Sequence, residues 1–456
     1  MAGIGFELRK LLRTQSYLGL LRAYLYASII SSGPWVFSIL GLMATGIISL
    51  GVVTPGLLIT QFQITVTYLI MGSLVLTGGL QLGFTRWVAD RLFEKRKERI
   101  GGAYLGVMLV TTAVAGVFGL VLSLVGFEGV DVFYRVWIVL GFTLLCNLWI
   151  TTAFLSGLKN YRVIVLLYAL GYGASVVFAS CGRPWGIDGL LAGFLGGQFV
   201  MWGVMLWLVL RNFPVQSALT LECFRPGRMY TALLLGGTLY NLGIWIDKLV
   251  FWFDPGTSRP IIGVLRASTI YDLPVFLAYL SVIPGMAVFL VKFETDFVEW
   301  YDEFYKTVRG GGTLGAIVGF RERMQEVVRD GLYQILKVQA LTLLTLYTFV
   351  PSIFRLIGIS ELYTPLYMVQ AVAASFQVML LAVLNVFYYL DRRSEVVMIT
   401  AVLAVLNFSL SLVSIHLGSD YYGYGFAVSI LCTLFFGLVL LQGLFRKLEY
   451  QTFMLQ

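Results

Sequence analysis

Runs of about twenty or more apolar residues, separated by short polar breaks, recur along the whole chain and leave few folds open to it. A helix of that length crosses the roughly 30 Å hydrocarbon layer of a bilayer. Read this way, spans lie near 24–51, 59–85, 102–126, 132–158, 163–180 and 188–210, then near 229–253, 261–291, 335–357, 364–390, 396–416 and 423–444. Twelve helices make an all-α polytopic membrane protein. Composition agrees: 59% of the 456 residues are hydrophobic and 12% charged, far from globular usage. The 49 glycines fit too, because glycine lets membrane helices approach closely.

Basic residues set the orientation, since they favour the cytoplasmic side. With the N-terminus inside, inner segments hold 26 of the 32 Lys and Arg. Both termini are therefore expected in the cytoplasm. The net charge of +8 is then explained by basic loops against anionic lipid, without nucleic acid. In MAGIGFELRKLLRTQSYLGLLR, the charges Arg9, Lys10, Arg13 and Arg22 precede an apolar run too long for a signal-peptide core. The first span is expected to stay. Cys146, Cys181, Cys223 and Cys432 lack CxxC spacing and predict neither disulfide nor metal, and His416 reads as structural or interfacial.

An internal repeat appears at an offset of 206 residues. Arg22 and Tyr24 fall on Arg228 and Tyr230, and Gly79, Arg86 and Asp90 fall on Gly285, Lys292 and Asp296. The two sets of six spans thus begin in register, which suggests two bundles related by pseudo-twofold symmetry with a path between them, a transporter architecture. The expected organisation is an N-terminal amphipathic arm (1–23), a six-helix bundle (24–211), a linker (212–228), a second bundle (229–445) and a tail (446–456).

The largest polar insertion, 292–337, reads as two short amphipathic helices joined by Gly310, Gly311 and Gly312. Phe297, Trp300, Phe304 and Tyr305 recur at helical spacing beside Glu294, Asp296, Glu299 and Asp302. Two readings stand: a helix lying on the inner leaflet, or a face that docks a cytoplasmic partner. The acidic residues favour docking.

Catalytic and nucleotide motifs are absent from the sequence. There is no Walker loop, since GGGTLGAIVG lacks the phosphate-binding lysine, and no DxD pair, HExxH helix or GxSxG elbow. No cofactor is expected. Intramembrane amides are plentiful, among them Gln61, Gln198, Asn241, Gln339 and Gln370; with the many Tyr and Trp they suit a sugar path, or else serve as interhelical glue. Asp247 and Lys248 stand side by side in the seventh span, and Arg266 and Asp272 in the eighth. If both segments are helical, rise per residue puts Asp247 and Arg266 within about 2 Å in depth, so an ion pair across the hairpin is expected. Charges in a membrane span should face one another or a wet cavity, which makes these four the transport-path candidates.

Four segments carry a family resemblance: MAGIGFELRKLL at the start, ISSGPW from Ile30 to Trp35, YDLPVF from Tyr271 to Phe276, and FETDFVEWYDEFY from Phe293 to Tyr305. Together the sequence resembles the PelG family of Pel exopolysaccharide transporters, within the multidrug/oligosaccharidyl-lipid/polysaccharide flippase superfamily. The resemblance implies twelve helices in two bundles, a Gram-negative inner membrane, and a cationic polymer substrate rich in N-acetylgalactosamine and galactosamine. Implied partners are a cytosolic glycosyltransferase, a cyclic di-GMP receptor membrane protein and a tetratricopeptide-repeat membrane scaffold. Polysaccharide translocation is the leading expectation. A lipid-linked oligosaccharide flippase or cation-coupled exporter is the alternative, and a membrane-embedded transferase the third.

Overall fold

The computed structural model describes residues 17–50, 52–53, 55–157, 161–215, 219–225, 230–356 and 359–454. The N-terminal arm up to residue 16 and Arg228 of the repeat lie outside the described residues. The helices are α1 (Tyr17–Ser49), α2 (Leu57–Phe93), α3 (Glu98–Gly126), α4 (Val132–Gly157), α5 (Tyr161–Gly182), α6 (Gly186–Asn212) and α7 (Thr231–Phe253). After a short hairpin of β1 (Arg259–Ile262) and β2 (Leu265–Ala267) come α8 (Thr269–Tyr279), α9 (Ile283–Val291), α10 (Val298–Arg309), α11 (Leu314–Leu356), α12 (Thr364–Tyr389), α13 (Arg393–Leu417) and α14 (Tyr424–Met454). Among the described residues ten stretches are long and apolar enough to cross a bilayer. One of them, Arg162–Asn212, holds both α5 and α6, and α7 is not among the ten because it carries Asn241, Asp247 and Lys248. Separating α5 from α6 and adding α7 recovers the twelve spans read from the sequence.

The polar insertion has a different form from the one expected. The chain from Thr269 to Arg309 is a continuous helical path, with a π-helical stretch at Lys292–Phe297 between α9 and α10. It turns at Gly310–Gly312, where Gly311 takes φ +69°, and α11 then runs unbroken for 43 residues. That length is about 65 Å, twice the hydrocarbon thickness. An apolar run ends where the membrane ends, but Glu, Arg, Lys and Gln are good helix formers, so the helix continues into water. The two "short helices" are extensions of membrane helices. For the same reason α14 extends to Met454, through the segment expected as a tail.

Two compact units divide the chain: Gly33–Thr269, and Met1–Ser32 with Ile270–Gln456. α7 thus packs in the unit built from the first set of spans. In the Gly33–Thr269 unit, α2 and α7 meet through glycine: a Cβ placed on Gly79 would lie 2.1 Å from the Leu234 carbonyl oxygen, and one on Gly237 2.4 Å from that of Gly78. α5 and α6 approach in the same way, with Gly193 and Gly197 against the backbone of Ala179 and Ser175. Small residues take this role in membranes because lipid gives helices no hydrophobic drive to associate, so close van der Waals packing has to hold them. In the other unit Ala278, Val350, Phe354, Tyr367 and Ala371 form a packed cluster.

Gly79→Ala and Gly237→Ala are expected to destabilise the protein by about 1–3 kcal/mol each through overpacking. Gly83→Ala should be near neutral, because its Cβ would meet only Leu234 side-chain carbons at 3.5 Å. Thermal unfolding of the three variants in detergent reads the difference; equal midpoints would show that α2 and α7 are not in backbone contact.

Candidate functional site

Asp247 and Lys248 are 0% and 1% exposed, at the end of α7 that leads into the hairpin. Neighbours in sequence point about 100° apart on a helix and do not face one another. Lys248 overcomes this by curling back: its Nζ lies 3.1 Å from both carboxylate oxygens of Asp247 and donates to the Ile244 carbonyl at 2.9 Å. The ammonium also stands 5.7 Å from the Trp245 ring centroid. Charge is thus neutralised locally, which burial in a membrane helix requires.

Aromatic rings surround this end of α7. Tyr68 of α2 stacks on Trp252 at 4.3 Å between centroids, and Trp252 lies 6.5 Å from Trp245. The hairpin fixes the stack: the Tyr68 hydroxyl donates to the Arg266 carbonyl at 2.8 Å, and Arg266 Nε donates to the Trp252 carbonyl and to Ser258 Oγ. Gln61, read from the sequence as an amide on the path, instead donates to the Ile261 carbonyl and ties the hairpin to α2.

These contacts correct the ion pair expected between Asp247 and Arg266. Arg266 lies on β2, not on a helix, and its side chain is committed to Ser258 and the Trp252 carbonyl. Gly263 at φ +54° supplies the tight turn between Ile262 and Leu265, and the β-branched residues around it favour strand. Equal depth of Asp247 and Arg266 would require helix on both sides of the turn, and β2 is strand. Asp272 is buried in the first turn of α8, where the helix dipole favours a carboxylate. It belongs to the other unit.

The aromatic stripe offered for docking is mostly interior. Phe297 and Phe304 are fully buried, and only Trp300 and Tyr305 are partly exposed. Phe297 meets Tyr301 and Tyr389, and Trp300 meets Phe320 of α11. A helical stripe shows which face is covered without showing by what; here α11 and α12 cover it. Nearby, Glu294 in the π-helical stretch accepts from Asn385 Nδ2 at 3.1 Å and the Tyr389 hydroxyl at 2.7 Å.

The sequence profile of the family described as "PelG: Putative exopolysaccharide Exporter (EPS-E)" matches residues 1–453. The chain belongs to the PelG family. Its fold is that of the MATE transporters of the MOP superfamily. An outward-facing multidrug resistance MATE family transporter of that superfamily superposes with TM-score 0.66 at 14% identity, over 94% of this chain and 96% of the other. MATE in complex with MaL6 gives 0.64 at 14%, over 94% and 96%. A MOP superfamily transporter from Pyrococcus furiosus gives 0.61 at 15%, over 93% and 96%. No functionally curated protein matches the chain. PelG-family membership and this fold make the protein a multi-pass membrane transporter.

Removing one member of the buried pair leaves the other charge uncompensated. Asp247→Asn and Lys248→Met should each cost about 3–5 kcal/mol, and the double variant Asp247→Leu/Lys248→Met should recover most of it. Thermal unfolding in detergent tests this, and singles as stable as the parent would show that the pair is hydrated.

Proposed function

We propose that the chain moves a growing Pel-type exopolysaccharide, rich in N-acetylgalactosamine and galactosamine, from cytoplasm to periplasm across a Gram-negative inner membrane. The observation that carries this reading is the aromatic set Tyr68, Trp245 and Trp252 around a neutralised ion pair in a membrane helix. Ring faces bind the apolar faces of sugar rings, and Trp245 is partly exposed to meet one, whereas the buried Asp247 and Lys248 would reach sugar hydroxyl and amino groups only in a state that opens this end of α7. Family membership and the transporter fold support the class of activity; cargo and direction are this reading's own. It makes the chain a conduit, not a transferase.

On this reading both termini lie in the cytoplasm, as does the segment 292–337 from the end of α9 into α11. The polymer is delivered by a cytosolic glycosyltransferase held with a cyclic di-GMP receptor and a tetratricopeptide-repeat scaffold. With Phe297 and Phe304 buried, docking falls to the partly exposed Trp300 and Tyr305 and to exposed Asp302 beside them. Arg266 keeps a supporting role by holding the Trp252 backbone, and Asp272 stays a path candidate.

Burial of the Asp247–Lys248 pair moves the functional test to residues outside the pair. In cells that make the polymer, Trp245→Leu and Asp272→Asn should lower secretion while inserted protein stays at the parental level. Normal secretion from both would remove the site. A reporter active only in the cytoplasm, fused after Gln456 and at 254–260, should work at the first position and be silent at the second; the reverse pattern would invert the direction.

A further inference from the structure

The repeat at 206 residues reappears as a pair of matching contacts. In the Gly33–Thr269 unit, Arg86 and Asp90 form an ion pair one turn apart at the end of α2 (3.4 Å), and the Tyr230 hydroxyl, just before α7, donates to Asp90. In the other unit Lys292 and Asp296 form the equivalent ion pair (2.8 Å), and the equivalent tyrosine is Tyr24 near the start of α1, which packs in that same unit. Tyr24 comes from the first half of the sequence and its acid from the second; Tyr230 comes from the second and its acid from the first. The first half therefore lends the start of α1 to the other unit and the second half lends α7, a reciprocal exchange of the kind that twofold symmetry produces.

The two copies differ in one respect. Asp90 holds its tyrosine. Asp296 instead accepts from Lys292 on one oxygen, the single Thr295 Oγ1 proton is shared between the Val291 carbonyl and its other oxygen, and among the described residues Tyr24 makes no hydrogen bond to it. The matching glycines repeat the difference. Gly79 meets the backbone of α7 at Leu234, whereas a Cβ on Gly285 would meet the side chain of Gln339, whose Oε1 is buried with no hydrogen-bond partner. One first helix is latched and zipped onto its neighbour. The other is not.

We propose that Tyr230–Asp90 and Tyr24–Asp296 are two copies of one latch, closed in the first and open in the second, and that Tyr24 closes onto Asp296 in another state of the transport cycle. The four are positioning residues: they fix where α1 and α7 start and do not touch cargo. The inference needs a transport cycle, and so rests on the transporter reading for its consequences, but closure itself does not depend on the cargo.

The test uses the full chain in native membranes, with Cys146, Cys181, Cys223 and Cys432 replaced by serine or alanine and one cysteine pair introduced at a time. The pair from Tyr230→Cys and Asp90→Cys should form a disulfide quickly under mild oxidation. The pair from Tyr24→Cys and Asp296→Cys should also form one, more slowly. Either bridge should lower polymer secretion, with recovery on reduction. Separately, Tyr24→Phe and Tyr230→Phe, which keep the ring and remove the hydroxyl, should each lower secretion by about tenfold, the equivalent of one hydrogen bond to a charged group. No crosslink at 24/296 where 90/230 bridges, or full secretion by the bridged protein, overturns the latch. Should the parent export no Pel-type polymer, the cargo reading fails while the crosslink comparison still decides closure.

Discussion

The backbone contact between α2 and α7 is the constraint on which the Gly33–Thr269 unit depends. Leu234 and Gly237 of α7 lie against Gly78 and Gly79 of α2 with no room for a Cβ. In water such a contact would be a minor feature of a larger apolar core. In a bilayer it is a main source of adhesion, because lipid solvates the outward faces as well as another helix would. It sets the separation and register of the two helices, and therefore which residues meet at their ends.

At one end the register brings Tyr230 to Asp90; at the other it stacks Trp252 on Tyr68 and leaves Asp247 and Lys248 buried together. The hairpin is a second consequence. Its strands are too short to be stable alone, and they hold their form through Gln61, Tyr68 and the Gly126 carbonyl, which accepts from Val264 N–H. Arg266, a charge near the membrane, thus becomes a backbone tie. The same close contact serves packing, charge neutralisation and the placing of aromatic faces.

Membrane class, most helix positions and the paired-half character were legible in the sequence because apolar run length reports directly on the bilayer and the 206-residue offset on the two halves. The repeat was legible through five residues, and three of them, Tyr, base and Asp, recur in both contacts at the basic helix ends. Arg266 was misplaced because an apolar run does not distinguish strand from helix; Gly263 and Pro260 were the local signal for a turn. Phe297 and Phe304 were read as surface because helical spacing identifies a face but not its cover. Tyr68 and Trp252 went unmarked, since one stacking pair among so many aromatic residues carries no pattern of its own. The reciprocal exchange of first helices was invisible, as sequence order says nothing of which helix fills which unit.

The central claim is that this chain conducts an exopolysaccharide across the membrane. It is tested most directly in sealed inside-out vesicles carrying the chain and supplied with the cytosolic glycosyltransferase and labelled nucleotide sugar. The account predicts labelled polymer accumulating inside the vesicles, protected from an added glycoside hydrolase until detergent opens them, and only when this chain is present. Polymer that is made but stays wholly outside, or equal protection in vesicles lacking the chain, would contradict it.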